Sequence, residues 1–338
     1  MASGVGDDSV SCPRVAVIIP CYNAAAYIEK TLASVYRQSG VELEVIVVDD
    51  GSSEGGAEVV AARFPQVRLE RTPNRGPSAA RDLGTKLTQA PLVQYLDADD
   101  LLEEGKLAVQ AAALARENAD VAYGDWVRFR STAEGAEEVL GVVSRRLGAD
   151  PELDLFTHFW CPPAAYLIRR SILQRVQWSP RLPVIQDARF MLDCAMAGAR
   201  FVACPGIMAR YRVHTRGSVS TRSRLAFLED CLRNADEVAD CWAQAKRLDG
   251  RRRAAVADVA TMVAVGAYET SRLLFTRAVD LLERICPEYM PATPSYRRWL
   301  MRVCGPGRAL AVECRLRRWK RALAARDRVC VLRNQPAR

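Results

Sequence analysis

A chain of 338 residues is longer than one hydrophobic core usually serves, so one large domain with an appendage, or two domains, is expected. Apolar residues at 49% and charged residues at 26% exclude a disordered or fibrous protein. The net charge of +8 is uneven: Pro291 to Arg338 carries thirteen Lys or Arg against Glu313 and Asp327, on a body that is otherwise slightly acidic.

Apolar runs such as Val15 to Ile19 fall well short of the roughly 20 residues of a membrane span. Met1 to Ser11 includes Asp7 and Asp8 and lacks a basic stretch followed by an apolar one, so no secretory signal is read and a cytoplasmic location is expected. The eleven cysteines form no CxxC pair, which predicts reduced, mostly buried thiols. With only His158 and His214 present, any metal must be held mainly by carboxylates.

Val15 to Ile19 and Leu43 to Val48 have the length and β-branched content of strands buried on both faces. Between them Tyr27, Ile28, Leu32, Val35 and Tyr36 recur at helical spacing, with Gly40 as the C-cap, which makes a βαβ unit. The pattern continues with a helix at Ala57 to Arg63, a strand at Val67 to Glu70, a helix from Ser78 to Leu87 capped by Ser78, and a strand at Leu92 to Leu96. Such alternation predicts an open, mostly parallel α/β sheet whose ligands bind beyond the carboxyl ends of the strands.

Those ends carry Pro20-Cys-Tyr-Asn23, Asp49-Asp-Gly-Ser-Ser53 and Asp97-Ala-Asp-Asp100. Five carboxylates at one edge (Asp49, Asp50, Asp97, Asp99, Asp100) would repel one another unless compensated, and a hard divalent cation suits them. Capping of the following helices is the alternative for any one loop; three in register favour a site. Neither GxGxxG nor a GxxxxGK[ST] loop is present, so a bound diphosphate needs metal and basic side chains, for which Arg75 and Arg81 are placed.

Further on, Cys161 to Arg170 reads as a loop entering a strand, and Gln186 opens a helix running to Gly198. His158, beside Phe159 and Trp160, is expected in the core or lining a cleft. Leu225 to Leu248 and Arg253 to Ile285 read as two long helices. In the basic tail, Val312, Leu316, Trp319 and Leu323 keep helical spacing among arginines, which fits equally an amphipathic helix on an anionic membrane surface and a docked helix with a solvated basic face.

Taken in order, PCYNAAAYIEKTLASVYRQ, VIVVDDGSSEGG, NRGPSAARDLG and LVQYLDADDLLEEGKL resemble the nucleotide-sugar-binding half of the bacterial-type family 2 inverting glycosyltransferases, strongly over Arg14 to Asp125 and more weakly to Ser220. The resemblance implies a GT-A fold, a mixed, mostly parallel sheet between helices, followed here by a C-terminal helical region. It implies an organisation of tail 1–13, transferase domain 14–220 (donor half 14–125, acceptor half 126–220), helical extension 221–290 and basic tail 291–338. Pro20, Tyr22, Asn23, Asp49 and Asp50 would hold the nucleotide, and Arg75 and Arg81 the diphosphate. Asp99 would ligate Mn2+ or Mg2+, with Asp97 on the ribose or a metal-bound water, and His214 in the YRxH-like stretch as a third ligand or phosphate donor.

Asp187 would be the catalytic base, although Gln186 stands where a Glu is usual; a dipole-complementing acid at a helix start is the other reading. Asp82 for the more usual Asn is a further departure. The partners implied are a nucleotide-diphospho-sugar and a glycan or lipid-linked acceptor hydroxyl, in cell-envelope polysaccharide or other glycoconjugate assembly, with the tail as a peripheral contact to the inner face of the membrane. The competing class is a non-catalytic module whose basic tail binds nucleic acid or anionic surfaces, and it is disfavoured because the tail has no nucleic-acid-binding motif and the acidic edge repels phosphate.

Overall fold

The computed structural model describes residues 12–132, 136–214, 223–290, 295–316 and 319. The chain divides into two compact units, Met1–Ser218 and Val219–Arg338.

In the first unit the sheet begins with β1 (Arg14–Cys21), whose Val15 to Ile19 are wholly buried, as their unbroken apolar run requires. Helix α1 (Ile28–Tyr36) crosses over to β2 (Glu42–Asp49), which runs parallel to β1 with Ile18 opposite Ile46. The helix is capped at Arg37, three residues before the expected C-cap Gly40, which at φ +71° turns the chain toward β2. Then follow α2 (Gly56–Arg63), β3 (Arg68–Arg71), α3 (Pro77–Leu87) and β4 (Leu92–Tyr95), with β3 parallel to β2 and β4 parallel to β1. Ser78 does not cap α3. Pro77 takes the first helical position after Gly76, and the Ser78 hydroxyl instead reaches Ser179 O and Gln186 Oε1.

The remaining strands make the sheet mixed. A two-residue strand β5 (Leu101–Leu102) and helix α4 (Lys106–Arg116) lead to the long strand β6 (Val121–Ser131), and β7 (Glu137–Val143) folds back on it. Helix α5 (Pro151–Thr157), a single 3₁₀ turn (Pro163–Ala165), β8 (Tyr166–Arg169), α6 (Arg170–Leu173), α7 (Gln186–Met196) and β9 (Phe201–Arg212) complete the unit. Strand order is β3-β2-β1-β4-β8-β6-β9-β5, with β8 antiparallel to β4 and to β6, and β6 parallel to β9.

The second unit is helical among its described residues: α8 (Arg224–Gln244), α9 (Gly250–Ala267), α10 (Arg272–Ile285), α11 (Ser295–Cys304) and a further helix over 306–316. The single helix expected from Arg253 to Ile285 is two. Ser271 starts the second by accepting the Leu274 N–H, an N-cap that the apolar periodicity conceals. Met301, Ala309, Leu310 and Cys314 are buried, so the tail contributes to the packing of this unit as far as 316. Among the described residues no helix is long and apolar enough to cross a membrane. All ten described cysteines are free and half of them are buried.

Candidate active site

The loop after β4 carries Asp97, Asp99 and Asp100, and the buried polar face of α1 holds its backbone. Thr31 Oγ1 donates to Ala98 O at 2.8 Å, Ser34 Oγ accepts the Leu102 N–H at 3.1 Å, and Gln38 both donates to Glu103 O and accepts from Leu107 N. From the other side the buried Arg212 of β9 donates its backbone N–H to Asp100 Oδ1 and its Nε to Asp99 O, both at 2.8 Å. Asp100 is buried, and its second oxygen finds no partner among the described residues. Burial raises the Asp100 pKa well above the ordinary carboxylate range, and the charges of Asp99 and Asp97 add to the rise.

The two outer aspartates point to different partners. Asp99 Oδ2 lies 2.6 Å from His214 Nε2, which brings two metal-ligating groups together from chain positions far apart. Asp97 is paired with Arg81, a guanidinium only 3% exposed that also donates to Gln186 Oε1 at 3.2 Å and lies over the Trp178 ring. Arg81 therefore links the aspartate loop to α7. Arg75 is exposed, and its backbone N–H, with that of Gly76, goes to the two oxygens of Asp50 at 2.8 Å each. Asp50 thus fixes the 74–76 turn, while Asp49 Oδ1 accepts the Ser52 N–H.

At the end of β1, Pro20 is buried and Tyr22 is 52% exposed, a ring standing open at the strand's carboxyl end. Asn23, at φ +49°, latches the loops after β1 and β2: its N–H goes to Ser52 Oγ and its Oδ1 accepts the Ser53 N–H, both at 2.9 Å. The residues predicted for nucleotide binding therefore hold one another's loops, with Tyr22 free to stack.

Asp187 lies in the first turn of α7, where the helix dipole favours an anion. Its Oδ2 accepts the Trp160 indole N–H at 2.7 Å and its Oδ1 the Ala188 N–H at 2.9 Å. It does not cap the helix, since the N-cap position belongs to Ile185. Burial raises the Asp187 pKa, against the lowering pull of the Trp160 and Ala188 hydrogen bonds and of Arg81. Tyr211 packs edge to face on Trp160, and besides burial the charges of Asp100, Asp97, Asp187 and Asp99 all push its phenol pKa up. The aspartate loop and Asp187 thus share one electrostatic neighbourhood. His158 is exposed because α5 ends there and its ring turns to Thr157 and Asp154, which excludes the core and leaves the other expectation, the lining of a cleft.

Trp160, Tyr211 and Arg212 are the site residues that sequence patterning did not single out. Only the YRxH resemblance touched the last two, and nothing in the chain near Trp160 signals its partner 27 residues on.

The sheet thus carries an acidic loop after its fourth strand and a shielded acid in the first turn of α7. Residues 16–176 match the model of the Glycosyl transferase family 2. An uncharacterized glycosyltransferase of Haemophilus influenzae is 31% identical over 191 residues, 55% of this chain and 73% of that protein. The chain belongs to the family 2 glycosyltransferases. Several further curated relatives are matched over only 10–40% of their own length. Among solved structures, S. aureus TarS 1-349 in complex with UDP aligns with TM-score 0.62 at 20% identity, covering 89% of this chain and 88% of that one. The mannosyltransferase PcManGT of Pyrobaculum calidifontis, in complex with GDP-Man and Mn2+, aligns with TM-score 0.52 at 21% identity over 89% of this chain and 87% of that one. These likenesses are of fold.

Proposed function

We propose that this glycosyltransferase moves a sugar from a nucleotide-diphospho-sugar to an acceptor hydroxyl by a single inverting displacement that depends on a divalent metal. The observation that carries the reading is the Arg81 bridge: paired with Asp97 and donating to Gln186 Oε1, it ties the aspartate loop to the helix start that carries Asp187. Asp187 accepts the acceptor hydroxyl's proton as that oxygen bonds to the anomeric carbon. The bond from that carbon to the diphosphate oxygen breaks, and the nucleoside diphosphate leaves with its electron pair. A base raised by burial is better matched to this task than an ordinary aspartate, and general-base assistance of this kind contributes about 10²–10⁴-fold.

The residues present suit Mn2+ or Mg2+: an aspartate beside a histidine, and a neighbouring buried carboxylate whose charge is under-compensated. Asp99 and His214 would hold the ion, with diphosphate oxygens completing its shell; once bound, it would neutralise charge on the leaving diphosphate. Arg81, committed to Asp97 and Gln186, orients the loop rather than meeting phosphate from solvent. Tyr22, Asp49 and Asp50 would contact base and ribose at the open end of β1 and β2, and Arg75 would reach the diphosphate. Complexes of TarS with UDP and of PcManGT with GDP-Man and Mn2+ support the donor class and the metal. The acceptor we propose is a glycan or lipid-linked glycan in cell-envelope or other glycoconjugate assembly, with the basic tail resting on an anionic membrane surface.

Isothermal titration with UDP and GDP, with Mn2+ and with EDTA, tests the donor and metal together. Binding of one nucleotide should collapse with EDTA or with Asp99→Ala. Equal affinity with and without metal would remove Asp99 from the metal site.

A further inference from the structure

Trp160 lies between α5 and the 3₁₀ turn Pro163–Ala165, and three buried side chains hold that turn from behind. Gln94 Nε2 donates to Pro163 O at 3.2 Å, Gln110 Nε2 to Ala165 O at 2.9 Å and Lys106 Nζ to Tyr166 O at 2.7 Å. Each of the three donors is at most 1% exposed. Taking an ammonium out of water costs several kcal/mol, and burial accordingly pulls the Lys106 pKa well below its ordinary value. A fold that keeps such a group at a turn carbonyl is holding that turn in place. Ahead of the turn, the Trp160 ring meets Trp126 and Tyr211 edge to face, with centroids 5.9 and 5.5 Å away, and its N–H goes to Asp187 Oδ2.

We propose that Trp160 is the positioning residue of the base: its indole N–H orients the Asp187 carboxylate, and Gln94, Lys106 and Gln110 lock the turn that presents it. The inference rests on Asp187 being the base. With Oδ2 taken by Trp160 and Oδ1 by Ala188, the carboxylate cannot rotate freely, and its remaining lone pairs are left for the acceptor hydroxyl. The hydrogen bond also favours the charged form. Of the groups facing Asp187, Arg81 acts in the same direction and Asp97 in the opposite one, and the phenols of Tyr166 and Tyr211 adjoin it.

The test is the pH profile of nucleoside diphosphate release from UDP-N-acetylglucosamine and GDP-mannose with Mn2+, on the full chain. Trp160→Phe keeps the ring contacts and removes the donor. It should lower kcat about ten-fold and move the acidic limb of kcat/KM up by about one pH unit. Trp126 packs on the same ring but its buried Nε1 finds no partner among the described residues, so Trp126→Phe should leave the limb in place. An unshifted limb in Trp160→Phe overturns the inference, whereas Asp187→Asn retaining full turnover overturns the base reading itself. A second measurement needs no substrate and no Trp160 variant. Among the six indole N–H resonances of the nitrogen-15-labelled wild type, one should titrate with pH and lose that titration in Asp187→Asn. Six pH-independent indoles would overturn the proposal.

Discussion

An added Cβ at Gly84 would lie 2.3 Å from Ile18 Cγ2, a β-branched side chain fixed in the fully buried β1. Replacing glycine by alanine inside a helix gains about 1 kcal/mol of propensity, but forcing a methyl into a filled core costs about 1–3 kcal/mol. Gly84→Ala should therefore destabilise the protein, measured as a lower denaturant midpoint at unchanged slope; a raised midpoint would mean that α3 can step back from the sheet. The site residues differ in how far the sequence exposed them. The positions of Asp97 and Asp99 at a strand end and of Asp187 at a helix start were legible because local pattern sets them, while a role for Asp187 as base came from the family resemblance alone. The Arg81 link to Asp97 and Gln186 was not legible, since the sequence offers Arg81 to a diphosphate and gives no sign that it is buried between the aspartate loop and α7. Ser78 looked like a cap for a similar reason: its type suits an N-cap, but Pro77 had already set the first turn.

Uninterrupted β-branched runs and helical periodicity revealed β1 to β4 and α1 to α3 to within a few residues. The second half of the sheet was obscure. In β6 (Val121–Ser131), Gly124 and Asp125 interrupt the apolar pattern at the point where the register with β9 shifts, and β5 has only two residues. Nor does any local signal announce that β8 runs antiparallel between two neighbours. In the C-terminal unit the helix over 306–316 buries Ala309, Leu310 and Cys314 and leaves Leu316 and Trp319 exposed, at 45% and 61%. The docked-helix reading thus describes one face, and an apolar pair beside arginines remains for a surface. Residues 317–338 carry eight Lys or Arg against Asp327. Removing them should weaken cosedimentation with phosphatidylglycerol vesicles, more so at low salt, while donor turnover is kept. Equal cosedimentation of the truncated and full chains would contradict the membrane reading.

Across the whole transferase unit, the account depends on one division of labour: the aspartate loop and the loops of β1 and β2 hold the donor, and Asp187 removes the proton. Asp187→Asn separates them, because asparagine keeps the shape but cannot act as a base, and its single amide oxygen can accept from Trp160 or from Ala188 but not from both. The sign of its effect on stability follows from the raised pKa. The folded state binds the Asp187 proton more tightly than the unfolded chain does, so stability is lost as pH rises from the ordinary aspartate range through the folded pKa. The asparagine variant escapes that loss but gives up one of the two accepted hydrogen bonds, so its melting temperature near neutral pH should change little. The most direct measurement is therefore Asp187→Asn against wild type at pH 7.5, with melting temperature, nucleoside diphosphate affinity with Mn2+ and sugar transfer read on the same samples. The expected result is unchanged affinity, a melting temperature that changes little and transfer lowered by at least about 10²-fold. Retained transfer would contradict it, whatever happens to the melting temperature.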